Sequence, residues 1–368
     1  MQLIYLAPVP WQSFAQRPHK FVEWFHARTG GDVLWLDPYP TRLPVLKDLL
    51  QGRSHHVQEL IATPPTWLKT IAPGGLPIEP LPFLRWINVK LWQESLQLTT
   101  DFAKISDTLV AIGKPSALAL AVLNRLDKHL SLYDAMDDFP EFYSGLSRRS
   151  LAQHEQHIVQ KVRIVWASSS SLKARWETLH NNVHLVNNAV DALATTASAA
   201  HLRPPQGKIF GYVGTIASWF DWDWVRLLAE KHPDAEVRLV GPIYHKPNQK
   251  LPPNISLIPA CDHAAAMQHM KNFHVGIIPF KDNPLTASVD PIKYYEYRAA
   301  GLPVISTAFG EMSLRHNEAG VFIAHSGTNL HDLAKLALAY EADPLVTDAF
   351  VENNSWAKRF DCSNLPLA

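Results

Sequence analysis

A charged segment in the last third of the chain carries the clearest chemistry. Lys293 and Glu296 stand three residues apart between Pro291 and Gly301. Proline suits the first turn of a helix and glycine can end one, so the segment predicts a helix followed by a buried strand at residues 303–306. A helix N-terminus with an added lysine favours a phosphate, and a nearby carboxylate suits sugar hydroxyls. The pattern indicates a binding site for a nucleotide sugar. The alternative is an ordinary exposed i,i+3 ion pair.

A second segment could contact a diphosphate. Gly211 and Gly214 follow a predicted strand, and Thr215 comes next. Two glycines let backbone N–H groups approach phosphate oxygens closely. The turn lacks the third glycine of the dinucleotide fingerprint and the lysine of a P-loop, so it is a weak motif by itself. Gly214 and Thr215 are the candidate residues within it.

An acidic cluster follows the predicted strand at Leu130–Tyr133. It contains Asp134, Asp137 and Asp138. Open α/β sheets bind ligands at the carboxyl ends of their strands, and neighbouring carboxylates repel, so at least one should have a partner or a raised pKa. Asp137 or Asp138 is the candidate general base for an acceptor hydroxyl. The alternative is that one of them caps the helix predicted after Phe139.

The metal motifs are weak. Asp221 and Asp223 imitate a D-x-D metal site, but they precede an amphipathic segment and fit better as the N-cap and a first-turn carboxylate of a helix. His154 and His157 lack a third ligand nearby. The sequence therefore predicts no metal site.

Short apolar runs alternate with amphipathic segments, which is typical of parallel sheets covered by helices on both faces. Residues 194–206 are rich in Ala, Thr, Ser and Pro and predict a linker. The predicted strands are Leu3–Leu6, Val33–Leu36, Thr108–Ile112, Leu130–Tyr133 and Arg163–Ala167 before the linker, and Lys208–Val213, Glu236–Val240, Ile255–Ile258, Val275–Pro279, Pro303–Ser306 and Val321–Ala324 after it.

Composition narrows the class of protein. The chain has 368 residues, 34 basic and 34 acidic side chains and two cysteines. This length suits two α/β domains, the balanced charge argues against nucleic acid as a partner, and the few cysteines fit a reducing compartment. The first residues lack the pattern of a signal peptide, and no run reaches the ~18 apolar residues of a membrane span. We expect a cytoplasmic protein, peripheral to a membrane at most.

The segment Asp290–Thr307 resembles the donor-binding helix of two-domain glycosyltransferases of the GT-B fold, especially the retaining family 4-like group. Three further segments resemble parts of the same enzymes in the same order: Trp11 with residues 16–19 (the first loop and helix of a polysaccharide-related subgroup), Val186–Asp191 (the interdomain segment) and Gly211–Asp221 (the first strand and turn of the donor domain).

The resemblance implies an architecture. It predicts two Rossmann-like, doubly wound α/β domains that face each other across a cleft, with the active site between them. Residues 1–190 would bind the acceptor, residues 191–350 the nucleotide sugar, and residues 351–368 would return to the first domain. It implies a metal-independent hexosyltransferase without a cofactor, which uses a nucleotide-diphosphate sugar and a saccharide or lipid-linked acceptor to build a bacterial cell-surface or extracellular polysaccharide.

The resemblance also implies roles for donor-site residues. Glu296 would bind the ribose, Lys293 the diphosphate beside Gly214 and Thr215, and Ser288 and Asp290 would lie near the sugar. The family pairs two glutamates eight positions apart, but the first position here is Ser288. A hydroxyl cannot supply carboxylate charge beside an oxocarbenium ion. The retaining mechanism is therefore open, and inversion with Asp137 or Asp138 as base is the alternative.

On the acceptor side, the candidates are Trp11, Arg17 and His19, and a helix-start role for His19 is the alternative. The tryptophan-rich segment at residues 82–97 reads either as an interfacial helix at the cytoplasmic face of the inner membrane or as a core helix. Two rival functions remain: a GT-B-type sugar-nucleotide epimerase, and a non-catalytic nucleotide-sugar-binding scaffold.

Overall fold

The computed structural model describes residues 1–13, 15–43, 63–81, 84–191 and 207–367. The predicted linker at 194–206 lies outside the described residues. The chain divides into two compact units, one of Met1–Asn187 with Phe360–Ala368 and one of Asn188–Arg359. Each unit is built around its own parallel sheet.

Unit 1 contains a sheet in the order β3-β2-β1-β4-β5-β6-β7, and its neighbouring strands run parallel. Its inner strands are apolar on both faces and fully buried, as a sheet covered by helices requires. The strands are β1 (Gln2–Leu6), β2 (Val33–Leu36), β3 (Leu68–Ile71), β4 (Thr108–Ile112), β5 (Leu130–Ala135), β6 (Ile164–Ala167) and β7 (Val183–Leu185).

The helices described for unit 1 are α1 (Arg17–Thr29), α2 (Arg85–Leu91), α3 (Gln93–Ala103), α4 (Ala117–Arg125), α5 (Gly145–Lys161) and α6 (Ser170–Glu177). The last residues of the chain pack into this unit. Phe360 is buried and stacks on Trp166, with ring centroids 5.7 Å apart, and Trp24 donates its indole N–H to Asp361. The end of the chain thus completes the core of unit 1.

Unit 2 contains a second parallel sheet in the order β10-β9-β8-β11-β12-β13. Its strands are β8 (Ile209–Val213), β9 (Glu236–Val240), β10 (Ile255–Ile258), β11 (Val275–Ile278), β12 (Val304–Thr307) and β13 (Val321–Ala324). Its helices are α7 (Trp222–Lys231), α8 (His263–Lys271), α9 (Ile292–Ala299), α10 (Leu330–Ala339) and α11 (Pro344–Asn353), and α12 (Trp356–Asp361) ends in unit 1.

Every predicted strand is confirmed, with ends that move by at most a few residues. The prediction missed β3 and β7, which are the short edge strands of unit 1 and have exposed positions. The helix predicted from Pro291 to Gly301 is confirmed, and Gly301 has a φ of 71°. Asp221 caps α7 by accepting from the Trp224 N–H, as predicted. Residues 82 and 83 of the segment at 82–97 lie outside the described residues, and the described part forms two helices, α2 and α3, which meet at Trp92.

Candidate functional site

The turn after β8 lies beside the first turn of α9. Gly214 has a φ of 154°, and a Cβ built on it would lie 3.5 Å from Lys293 Cε. A Cβ on Gly241 would lie only 2.1 Å from the Gly214 carbonyl oxygen, so both positions require glycine. The structure therefore brings Gly214 and Lys293 together at the carboxyl edge of the unit 2 sheet, as the sequence predicted for a phosphate site.

Lys293 and Glu296 form an ion pair on α9. Lys293 Nζ lies 2.5 Å from Glu296 Oε2, and the two side chains are 25% and 20% exposed. The Tyr297 hydroxyl, one residue on, accepts a hydrogen bond from the Val213 N–H at 3.0 Å. This bond ties α9 to the end of β8. The two charged groups are thus fixed against the glycine turn and still reach solvent.

The Asp290 carboxylate is fully engaged at the start of α9. It accepts hydrogen bonds from the Asn188 N–H at 2.7 Å, the Tyr295 hydroxyl at 2.9 Å and Arg315 Nη2 at 2.7 Å. Asp290 is 4% exposed and Ser288 is 2% exposed. The contacts of Asp290 are those of a group that positions α9, and the predicted sugar contacts of both residues stay predictions.

Arg17 is held by a buried ion pair in unit 1. Its Nη2 lies 2.7 Å from Asp134 Oδ1, and its Nη1 donates to the Val186 carbonyl at 2.7 Å. Arg17 is 2% exposed and Asp134 is fully buried. The guanidinium joins α1, β5 and the chain after β7. An acceptor role for Arg17 stays a prediction, and these contacts are structural.

Asp137 and Asp138 follow β5 and differ in their surroundings. Asp138 is 5% exposed and pairs with Arg175 at 2.5 Å. It stands at the start of the 3-10 turn Phe139–Phe142, but its side chain makes no capping hydrogen bond. Asp137 is partly exposed, and within the described ranges its carboxylate has no hydrogen-bond donor. Asp137 therefore keeps both oxygen atoms available.

The pKa of Asp137 is shifted toward neutrality. Burial raises the pKa of this carboxyl to about 7; the nearby Arg17 opposes the shift, whereas Asp134 and Asp138 add to it. This outcome confirms the expectation that at least one carboxylate of the acidic cluster has a partner or a raised pKa. A carboxylate with such a pKa can accept a proton near neutral pH.

Trp11 and His19 lie together, with their ring centroids 5.0 Å apart. His19 Nδ1 accepts from the Gln16 N–H at 3.2 Å, and its Nε2 lies 3.0 Å from the Trp11 carbonyl oxygen. Burial lowers the pKa of His19. The structure shows the helix-start role for His19 that the sequence left open. Trp11 is 9% exposed, and acceptor contacts for both residues stay predictions.

Two further charged residues, which the sequence motifs did not single out, lie at the same edge of the unit 1 sheet. Asp37 directly follows β2, and Lys114 follows β4 after Gly113. The rule applied to the acidic cluster, that ligands bind at the carboxyl ends of parallel strands, would have found both. Neither stands in a recognisable motif.

Two features are absent from the described ranges. No group of three or more His, Cys, Asp or Glu side chains is gathered there as a metal site would require. No helix in those ranges has the length and hydropathy to cross a bilayer.

No model of a known protein family matches the chain. The chain is 27% identical over 198 residues to TuaH of Bacillus subtilis (strain 168), a protein assigned as a glycosyltransferase of teichuronic acid biosynthesis. The match covers 48% of this chain and 50% of the relative, so it spans about half of that protein's length.

The comparison of structures covers nearly the whole chain. The α,α-trehalose-phosphate synthase of Burkholderia vietnamiensis matches with a TM-score of 0.63 at 12% identity, over 98% of this chain and 95% of its own. A glycosyltransferase from Rickettsia africae matches with a TM-score of 0.63 at 13% identity, over 98% and 96%. The fold is GT-B. The predicted fold class is thereby confirmed, whereas the family 4-like subgroup stays a prediction.

We expect the buried Asp290–Arg315 pair to dominate the local stability of unit 2. Replacing Arg315 by Met leaves an uncompensated buried carboxylate and should lower the free energy of unfolding by about 3–5 kcal/mol in urea denaturation. The double variant Arg315→Met with Asp290→Asn should lose less than the sum of the two single changes.

The control is Glu230→Ala, which breaks the exposed Arg226–Glu230 pair on α7 and should cost at most about 1 kcal/mol. If Arg315→Met costs no more than this control, the pair does not hold the start of α9.

Proposed function

We propose that this protein transfers a sugar from a nucleotide-diphosphate sugar to a saccharide or lipid-linked saccharide acceptor in the synthesis of a cell-surface or extracellular polysaccharide. The observation that carries the proposal is the Lys293–Glu296 pair beside the Gly214 turn, at the ligand-binding edge of the unit 2 sheet. The likeness to TuaH and to GT-B enzymes supports it. One of those structures, an Escherichia coli trehalose-6-phosphate protein, holds UDP-2-fluoro glucose, with a TM-score of 0.64 at 11% identity over 99% of this chain and 100% of its own.

The ion pair on α9 is suited to exchange partners when a donor binds. A partly exposed pair contributes only about 0–1 kcal/mol, whereas a charge-assisted hydrogen bond to phosphate is stronger. Lys293 would therefore leave Glu296 for the diphosphate, beside the backbone of Gly214 and Thr215. The freed Glu296 carboxylate would accept hydrogen bonds from ribose hydroxyls. The first residues of α9 are accessible for this role, because Ile292 and Lys293 are partly exposed.

Asp137 is the group we assign as general base. Its oxygens have no donor within the described ranges, and its pKa of about 7 places the proton-accepting form at neutral pH. It would remove the proton of the acceptor hydroxyl as that oxygen attacks the anomeric carbon, while Lys293 stabilises the departing diphosphate. Asp138 forms an ion pair with Arg175 and would hold the loop after β5 in place. Attack of this kind gives inversion at the anomeric carbon.

The donor site is tested by nucleotide binding and turnover. Lys293→Ala should weaken binding of nucleoside diphosphates by about 10- to 100-fold, because a charge-assisted hydrogen bond contributes about 1.5–3 kcal/mol. Titration calorimetry with UDP, GDP and ADP measures this, and Lys335→Ala, an exposed lysine on α10, is the matched control.

Incubation with a panel of nucleotide sugars then separates the rival functions. Transfer or slow hydrolysis supports a transferase, an isomerised sugar supports an epimerase, and binding without turnover supports a scaffold. Equal nucleotide affinity in the Lys293 and Lys335 variants would contradict the donor site proposed here.

The role of Asp137 is tested by the pH dependence of transfer. Below pH of about 7 the carboxyl is protonated and cannot accept a proton, so kcat should fall as the pH drops through this value and level off above it. Asp137→Asn should lower kcat by about 10²- to 10⁴-fold and remove this dependence. Nucleotide affinity should be unchanged, which shows that the variant is folded. A variant that keeps the wild-type rate and pH profile would remove Asp137 from the mechanism.

We also propose that unit 1 contacts the inner membrane at its cytoplasmic face through α2. Its apolar side chains are unusually exposed, with Trp86 at 57%, Leu91 at 45%, Val89 at 43% and the adjoining Leu84 at 37%. Lys90 Nζ lies 5.0 Å from the centre of the Trp86 ring. Tryptophan, leucine and lysine together are typical of helices that lie in a bilayer interface. Helix α3, by contrast, buries Leu96 and Thr99 in the unit.

Membrane contact is measured by co-sedimentation with vesicles containing phosphatidylglycerol. The double change Trp86→Ser and Leu91→Ser should reduce the bound fraction at least tenfold, since each buried apolar side chain contributes about 1.5–3 kcal/mol. Leu345→Ser, which alters a leucine on α11 that is 77% exposed, is the control. Should both variants bind as the wild type does, α2 is not the membrane-binding surface.

A further inference from the structure

A pocket opens at the carboxyl edge of the unit 1 sheet, where β1, β2 and β4 end. Its polar lining includes Asp37, Thr41, Lys114 and Ser116, and Leu36 is among its apolar residues. It holds about 270 Å³ of space, counting its open mouth. Much of that volume is open to solvent, so the pocket is a shallow one that can receive an anionic substituent or one edge of a sugar ring.

Lys114 is an uncompensated cation in this pocket. Its side chain is partly exposed, and across the described ranges its ammonium forms no hydrogen bond or ion pair. The basic groups at the neighbouring edge positions differ in this respect, because Arg17 and Arg175 are paired with Asp134 and Asp138. An unpaired ammonium beside a concave surface is available to an anionic group of a ligand.

The backbone N–H groups at the start of α4 are not available to bind an anion in the pocket. The first N–H groups of α4 are already used: Ala117 donates to Glu79 Oε1 at 3.0 Å, and Ala119 donates to Ser116 Oγ at 3.1 Å. The Leu118 N–H donates to the Tyr39 hydroxyl at 3.3 Å. The buried Glu79 carboxylate thus offsets the partial positive charge of the helix start. Recognition of an anion in the pocket falls to Lys114.

Asp37 supplies a different function to the same pocket. Its Oδ1 accepts from the Trp11 N–H at 3.0 Å and from the Trp35 indole N–H at 2.9 Å, which fixes the carboxylate. Its Oδ2 accepts no hydrogen bond from the part of the chain that is described, so it can accept one from a sugar hydroxyl. The lining therefore offers one fixed acceptor for hydroxyls and one free cation.

We propose that this pocket is an acceptor subsite for a sugar that carries an anionic group, a carboxylate or a phosphate, with Lys114 binding the anion and Asp37 a ring hydroxyl. The inference rests on the proposed function, in which unit 1 binds the acceptor. The general base stands nearby on the same edge, because Asp137 follows β5 and β5 pairs with β4. Adjacent strands lie ~4.8 Å apart, so the pocket and Asp137 occupy neighbouring positions along this edge.

The test compares three probes on the full chain without any nucleotide: glucuronate, glucose 6-phosphate and glucose, titrated by NMR at constant ionic strength. The wild type should bind at least one of the charged sugars about tenfold more tightly than glucose. Binding of glucuronate indicates a uronic acid acceptor, and binding of glucose 6-phosphate a phosphorylated one. Lys114→Ala should abolish the preference, and Lys114→Glu should reverse it.

Lys128→Ala is the matched control, because Lys128 is exposed just after α4, at the opposite edge of the sheet. It should keep the wild-type preference. Equal affinity of the wild type for all three sugars, or no binding of any, overturns the proposal. So does a preference that survives Lys114→Ala.

The outcome is separable from that of the proposed function, because UDP, GDP and ADP binding is measured on the same samples. A wild type that shows no charged-sugar preference but binds nucleotide refutes this subsite alone. A charged-sugar preference without any nucleotide binding supports the subsite and refutes the transferase. A thermal unfolding curve equal to that of the wild type shows that each lysine variant is folded.

Discussion

A buried aspartate neutralised by a buried arginine organises the carboxyl edge of the sheet in each unit. In unit 1 the pair is Asp134 with Arg17, and in unit 2 it is Asp290 with Arg315. A buried charge without a partner is far more costly than the pair, so each edge forms only when its arginine is in place. Each pair makes a further hydrogen bond to the backbone. Arg17 donates to the Val186 carbonyl, and Asp290 accepts from the Asn188 N–H. Each pair therefore also fixes a part of the backbone of its own unit, after β7 in unit 1 and at Asn188 in unit 2.

The charged residues at these edges consequently fall into two groups. Arg17, Asp134, Asp290 and Arg315 are buried and fully bonded, so they position other groups. Lys293, Glu296, Asp137, Lys114 and Asp37 reach solvent and keep an atom or a weak partner to spare. Chemistry on a ligand requires groups of the second kind, because a buried bonded charge cannot change partners without a large loss of stability. The proposed donor, base and acceptor contacts all come from this second group.

Local patterns explain why much of this was predictable. Runs such as Val33–Leu36 are buried on both faces, so their composition alone predicts strands, and Pro291 and Gly301 mark the ends of α9 by backbone geometry. Residue type alone does not show which charged side chains are paired with other residues of the protein. Arg17 and Asp134 are 117 positions apart, and no local pattern signals that they meet. The sequence therefore predicted the strands that form the two edges, whereas the internal contacts of Arg17 and Asp290 had no local signal, and the ligand roles of these residues stay predictions.

The same reasoning bears on the stereochemistry of the proposed reaction. A retaining enzyme of the resembling group would place carboxylate charge at position 288, where this chain has a serine that is 2% exposed. Asp290 cannot take over that role while it remains bonded to Arg315, Tyr295 and Asn188, because releasing it would strand the Arg315 guanidinium in a buried site. Neither position 288 nor Asp290 then offers a free carboxylate to an oxocarbenium ion from the donor side. Asp137 combines access with a pKa of about 7, and a base that activates the incoming hydroxyl needs those two properties. Asp290 is bonded to other residues of the protein, whereas Asp137 is accessible to a ligand. This difference favours inversion over retention at the anomeric carbon.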